Sequence, residues 1–248
     1  MPIQRGSKME HIVNVNHVTK TYGAKYALND VTFFVDEGDA LAYLGPNGSG
    51  KTTTLKSILG LIEIQAGNIR VLGADVQRQY TSLYGAVTSL FDENGLYERL
   101  TARENLSFYL GAFQRKGELA SALHLMEELD MGDEIDHAVN TYSKGMKRKL
   151  ALIRSLSAHP KLLFMDEPFD GIDIENRAKI IRVMKEHREK YGITMMLTSH
   201  VMADIEDLAS RIIVIKKGRL LVDESLDRFG LRVGKDMTGK YLRVVEDE

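Results

Sequence analysis

The stretch Gly45-Pro46-Asn47-Gly48-Ser49-Gly50-Lys51-Thr52 follows the spacing G-x-x-x-x-G-K-[ST], and its reading decides the fold. Ahead of it, Ala40-Leu41-Ala42-Tyr43-Leu44 is short and apolar and predicts a buried strand. Behind it, Thr53-Thr54-Leu55-Lys56-Ser57-Ile58-Leu59 predicts a helix that ends near Gly60. Strand, glycine loop and helix are the context in which such a loop binds phosphate. The glycines let successive backbone N–H groups converge on one anion, and the helix N-terminus adds its dipole. Lys51 can reach the outer phosphates as a point charge, and Thr52 offers a hydroxyl to Mg2+.

The chain has 248 residues, enough for one large α/β domain with a well-packed core. Its formal net charge of −2 supplies no basic field for nucleic acid. It has no cysteine, which excludes disulfides and thiolate metal sites and suits a reducing cytosol. Met1 to Lys8 is polar and does not read as a secretory signal. No apolar run reaches the roughly eighteen residues of a membrane span, so the chain is expected not to cross a membrane by itself.

Along the chain, Ile12–Val18 and Val31–Val35 alternate apolar and polar residues and predict antiparallel strands. The turn expected between them, Thr19 to Gly23, carries Tyr22, which can stack on a flat base or serve as an ordinary strand-end tyrosine. Gly67 to Gly73 predicts another short strand. Tyr80 to His159 is mostly helical in pattern, with a capping box at Thr101–Glu104, and predicts a helical subdomain inserted in the α/β core. Tyr142-Ser143-Lys144-Gly145-Met146 opens a helix from Lys147 to Ser157, with Ser143 as N-cap. Locally, a second anion site and a plain capped helix with a solvated Lys147-Arg148-Lys149 face fit it equally well.

Lys161-Leu162-Leu163-Phe164-Met165-Asp166-Glu167-Pro168 predicts a buried strand ending in two carboxylates, at the sheet edge where ligands bind. Asp166 can hold magnesium through water, and Glu167 can accept a proton from an attacking water. Ile174 to Tyr191 predicts an amphipathic helix. Ile193 to Ser199 predicts a buried strand with His200 at its end, where an imidazole can bond a terminal phosphate. Ile212–Lys216 and Arg219–Val222 predict a hairpin, and no motif is legible from Leu231 onward.

From Ile12 to Phe229 the ordered set of motifs resembles the ATP-binding subunit of an ABC transporter. Tyr22 is similar to the adenine-stacking aromatic, Gly45–Thr52 to the first nucleotide motif, and Tyr142–Met146 to the family signature. Leu162–Glu167 is similar to the second nucleotide motif, Gly171-Ile172-Asp173 to the loop at the dimer seam, and His200 to the switch histidine. The resemblance implies a P-loop NTPase core with a mixed sheet, an N-terminal antiparallel β-subdomain and an inserted α-helical subdomain. The ATP-binding domain would span 1–229, with the helical insertion at about 83–158 and a tail of unknown role at 230–248. It implies ATP and Mg2+ as cofactors. Tyr22, Gly45, Pro46, Asn47, Gly48, Ser49, Gly50, Lys51, Thr52 and Thr53 would bind nucleotide. Ser143 and Gly145 would reach the nucleotide of a second subunit, identical or not, in a head-to-tail dimer. Lys51, Glu167 and His200 would be catalytic. The implied partners are transmembrane permease subunits on separate chains, with this subunit peripheral at the cytoplasmic face. Asn94 to Thr101 resembles exporter subunits for drugs, antibiotics or lipids. The alternative function is a non-transport ATPase of the same family, in cofactor assembly or another cytosolic process. A kinase is disfavoured by the signature, and a GTPase by the lack of an Asn-Lys-x-Asp-like guanine reader.

Two positions depart from the family pattern. Asp92 stands where a glutamine is usual, so it joins Thr52 and Asp166 as an expected metal ligand. Lys144 and Met146 stand where Gly and Gln are common; Lys144 either adds a cation near the partner's phosphates or faces solvent. An ionised aspartate accepts but does not donate hydrogen bonds. Asp92→Gln is therefore expected to leave ATP hydrolysis at or above the starting rate in a phosphate-release assay, and complete loss would reject a magnesium-side role.

Overall fold

The computed structural model describes residues 11–91, 95–199, 202–230 and 237–246. The chain enters a long hairpin, β1 (His11–Tyr22) and β2 (Lys25–Asp36), then runs through β3 (Ala40–Leu44) into α1 (Lys51–Ile58). β4 (Ala66–Val71), β5 (Ala74–Asp75), the short α2 (Val76–Gln79) and β6 (Val87–Leu90) follow. A helical stretch comes next, α3 (Ala102–Ala112), α4 (Leu119–Glu128) and α5 (Lys144–Ser157). β7 (Leu162–Asp166), α6 (Ile174–Tyr191), β8 (Thr194–Ser199), α7 (Met202–Leu208) and β9 (Arg211–Lys216) return the chain to the sheet. β10 (Arg219–Ser225) and α8 (Met237–Glu246) complete the described elements.

Among the described residues the strands form two sheets, one ordered β2-β1-β4-β5 and the other β10-β9-β3-β8-β7-β6. The first is antiparallel throughout. The second is mixed: β9, β3, β8, β7 and β6 run parallel, and β10 turns back against β9. A parallel sheet needs cover on both faces, and all five residues of β3 and of β7 are buried accordingly. Their side chains still alternate. Leu162 and Phe164 join Leu41 and Tyr43 in the core shared with the antiparallel sheet. Leu163 and Met165 enter the core built with Leu106, Leu110, Leu125 and Leu150 of the helices. The helical stretch therefore shares its hydrophobic core with one face of the sheet.

The capping box of α3 is present, Thr101 accepting from the Glu104 N–H while Glu104 reaches back to the Thr101 N–H. Several sequence expectations differ in detail. β6 lies inside the stretch read as helical, because its four residues supply an edge strand to β7. Tyr22 ends β1 instead of lying in a turn, since strand pairing continues to Tyr22 and Lys25. α5 starts at Lys144, and its Arg148 and Lys149 are buried, so the solvated basic face does not form there. The tail region contributes α8, whose Tyr241, Val244 and Val245 lie against the cluster of Leu44, Val214 and Phe229.

His159, just past α5, stacks on Tyr191 of α6 at 3.8 Å between ring centres, with His187 5.4 Å from the same tyrosine. Burial pushes the pKa of both histidines below its ordinary value; Glu118 pulls His159 partly back, and the Val183 carbonyl does the same for His187. The folded state thus disfavours their protonation, while the unfolded chain takes up protons near the ordinary value of about 6.5. Stability should be full above that pH and fall as the pH drops below it. Urea midpoints at pH 7.5 and pH 5.5 measure this loss, which the His159→Gln/His187→Gln double variant should reduce.

Candidate functional site

The phosphate loop leaves the end of β3 and turns at once into α1. Gly50 caps the helix with φ +116°, and a Cβ there would stand 2.4 Å from the Ala27 carbonyl oxygen. Gly45 is held equally close, since its Cβ would fall 2.2 Å from the Ile215 carbonyl oxygen. Both positions exclude any side chain, so the loop backbone lies tight between β2 and β9. No side chain caps α1, and its first turn carries no acid. Its leading N–H groups therefore face the loop mouth as an anion site.

Lys51 donates to the Gly45 carbonyl at 2.7 Å and stands 3.9 Å from Glu167. Burial pushes its ammonium pKa below the ordinary value, and the Glu167 and Asp166 charges push it back. Thr52 donates to Asp166 Oδ2 at 2.7 Å. On the other side, Thr198 of β8 donates to Asp166 Oδ1 at 2.6 Å and accepts from the Glu167 N–H at 3.0 Å. This pairing follows from strand register, because Thr198 lies opposite Asp166 in the β7–β8 ladder.

Successive side chains of a strand point to opposite faces. Two adjacent carboxylates can serve one cleft only if the strand is broken between them. Glu167 does this by taking a left-handed backbone, φ +48°, which costs about 1–3 kcal/mol in a non-glycine residue. Arg148 of α5 stabilises the turn. The residue is 4% exposed, and its guanidinium donates to the carbonyls of Asp166, Glu167 and Pro168 and to that of Phe91.

The result is a cleft of about 780 Å³. Tyr22, Asn47, Gly48, Gly50, Lys51, Thr52, Thr53, Asp166 and Glu167, all expected from the sequence, line it together. Gly45 and Pro46 supply carbonyls to Lys51 behind the lining. Ser49 is buried, and its hydroxyl has no hydrogen-bond partner among the described residues. Ser143 caps α5 by accepting from the Met146 N–H, and Gly145 lies where a Cβ would come 2.8 Å from the Gly171 carbonyl oxygen. Neither is part of the cleft lining. Lys144 is exposed, as one of its two expected roles has it, and its ammonium stands 2.7 Å from Asp170 of the same chain. Asp92 and His200 lie outside the described residues.

Sequence reading missed four participants. Lys25 and Asp170 line the cleft, while Arg148 and Thr198 shape it from behind. A hydroxyl directly after the apolar Met195-Met196-Leu197 run, at the end of a predicted buried strand, was a legible signal for Thr198. Arg148 had none, because it sits in a basic run indistinguishable from a solvated helix face.

Thr52 and Asp166 suit a hard cation. Magnesium takes one or two protein oxygens and completes its shell with water and phosphate, and these two oxygens already converge beside the loop. Among the described residues no group of three or more His, Cys, Asp and Glu side chains could hold a metal ion.

A family model described as ABC transporter matches residues 28–170. The uncharacterised ABC transporter ATP-binding protein YcbN of Bacillus subtilis is 35% identical over 88% of this chain and 71% of its own. The daunorubicin resistance ATP-binding protein DrrA2 of Streptomyces coeruleorubidus is 34% identical over 91% of this chain and 70% of its own. Among solved structures, a dimeric post-hydrolysis ATP-binding cassette bound to ADP and Pi superposes with a TM-score of 0.77 at 25% identity. It covers 86% of this chain and 98% of that one.

Thr198→Val keeps the shape of the side chain and removes its hydroxyl from two bonds at the strand end. The expected outcome is a loss of about 1–3 kcal/mol in urea unfolding together with slower ATP turnover. Thr198→Ser should recover both, and unchanged turnover in the valine variant would leave Thr198 a purely structural role.

Proposed function

This chain belongs to the ABC transporter family as an ATP-binding protein that hydrolyses ATP to power transport, and from that premise we propose that it drives export of a drug- or antibiotic-like molecule through separate membrane subunits. One observation carries the assignment of residues: the loop amides, Lys51, Thr52, Asp166 and Glu167 converge on a single cleft. Tyr22, 55% exposed at the cleft wall, stacks on the base. The loop from Asn47 to Thr53 and the α1 N-terminus bind the phosphates, with Lys51 on the outer ones. Thr52 and Asp166 would hold Mg2+, which supplies charge neutralisation on the phosphates when bound. Glu167 orients a water against the γ-phosphorus and accepts its proton as the new P–O bond forms and ADP leaves. Lys51 balances the charge that develops on the transferring oxygens.

The cleft is half of a working site. Ser143 and Gly145, outside the cleft of their own chain, complete the cleft of a second subunit when two copies close head to tail. Hydrolysis and association are coupled in this arrangement. His200 would bond the terminal phosphate, and Asp92 would face the magnesium. No described helix is long and apolar enough to cross a membrane, so movement across the bilayer falls to partner chains. The subunit would bind them at the cytoplasmic face. An aromatic groove where Tyr84, Tyr97 and Phe108 are exposed beside the buried Arg154 is suited to receive such a chain.

Glu167→Gln keeps the shape of the base and removes its proton affinity. Turnover should fall roughly 10²–10⁴-fold while ATP binding persists, and gel filtration with ATP should show a stable dimer. Only monomers under those conditions would contradict the proposed closure.

A further inference from the structure

Lys20 lies on β1 two residues before Tyr22, and the residue is 9% exposed. Among the described residues its ammonium has neither a carboxylate nor a hydrogen-bond acceptor. What it has is a ring: the ammonium nitrogen stands 5.1 Å from the centre of the Tyr22 ring. An aromatic face attracts a cation held within about 6 Å of its centre, and here the stem of the lysine is packed so that the ammonium stays at that distance. Tyr22 itself borders the nucleotide cleft, where its strand partner is Lys25, a second lining residue. Across the hairpin Lys20 pairs with Leu28, whose side chain comes within 3.2 Å of the place a Cβ on Gly50 would occupy. Lys20, Tyr22 and the phosphate loop thus form one packed unit.

We propose that Lys20 is a positioning residue for the purine base, holding the Tyr22 ring by one face so that the other face is presented to the cleft. Two physical effects follow. The cation restrains a half-exposed ring that would otherwise sample other rotamers, so less freedom is lost when the base stacks. It also draws π-electron density toward itself, which leaves the opposite face better suited to an electron-rich purine. The charge acts through the tyrosine and not on the phosphates. This inference rests on nucleotide occupying the cleft as described above.

Calorimetric titration of the full chain in EDTA, which holds hydrolysis off, tests it with two probes, ATP and inorganic tripolyphosphate. Lys20→Met keeps the apolar stem and removes the charge. It should weaken ATP roughly fivefold and leave tripolyphosphate unchanged. Lys20→Arg, which keeps a cation over the ring, should restore ATP affinity. In a Tyr22→Leu background Lys20→Met should cause no further loss, the signature of two residues acting as one. In steady-state assays KM should rise while kcat holds. Equal weakening of both probes would overturn the proposal by placing the ammonium on the phosphates. Unchanged ATP affinity would overturn it by reducing Lys20 to packing. Failure of the wild-type chain to bind either probe, or binding that survives Lys51→Ala undiminished, would instead reject the assignment of the cleft itself.

Discussion

The hydrogen bond from Thr52 to Asp166 joins residues 114 positions apart and brings the phosphate loop to the carboxylates at the end of β7. It forms because β3 and β7 run parallel on either side of β8, so the loop after one and the carboxylates after the other emerge at the same sheet edge. Neither strand could be exposed on a face without exposing an apolar run. The antiparallel sheet and the helices that cover the two faces are therefore conditions of the site as much as of the fold.

Around that bond the protein concentrates charge that it must also restrain. Two carboxylates stand near one buried ammonium, and a non-glycine residue is held in a left-handed conformation between the strand and Pro168. Arg148 carries much of this restraint. It donates to consecutive carbonyls and so ties α5 to the strand end that bears Asp166 and Glu167. The same helix begins at Ser143 and Gly145, which are proposed to act on the other subunit's nucleotide. A displacement of α5 would in this way be felt at both nucleotides of a dimer, through hydrogen bonds visible within one chain.

The nucleotide's other end is handled by different physics. In the proposed complex the phosphates would meet fixed N–H groups and a lysine, while the base would meet an exposed ring at the rim. The antiparallel hairpin that carries Tyr22 packs on the loop through Leu28 and Ala27. Base platform and phosphate cradle come from distant elements but are held at one separation by that contact.

The sequence by itself determined the strand–loop–helix around Gly45–Thr52, the capping box of α3, the Ser143 cap and the pair of carboxylates after β7. Each of these is a local matter of hydrophobic run, turn residue or cap, decided within a few positions of chain. Tertiary structure alone decided that residues 87–90 become an edge strand, that Arg148 and Lys149 are buried in a basic run, and that Thr198 bridges both carboxylates. It also decided that Lys20 lies beneath Tyr22. The physical reason is common to all of these. A charged or polar side chain carries the same local signature on a solvated face as in a buried one. Only the arrival of distant carbonyls, carboxylates or a ring shows which of the two it occupies.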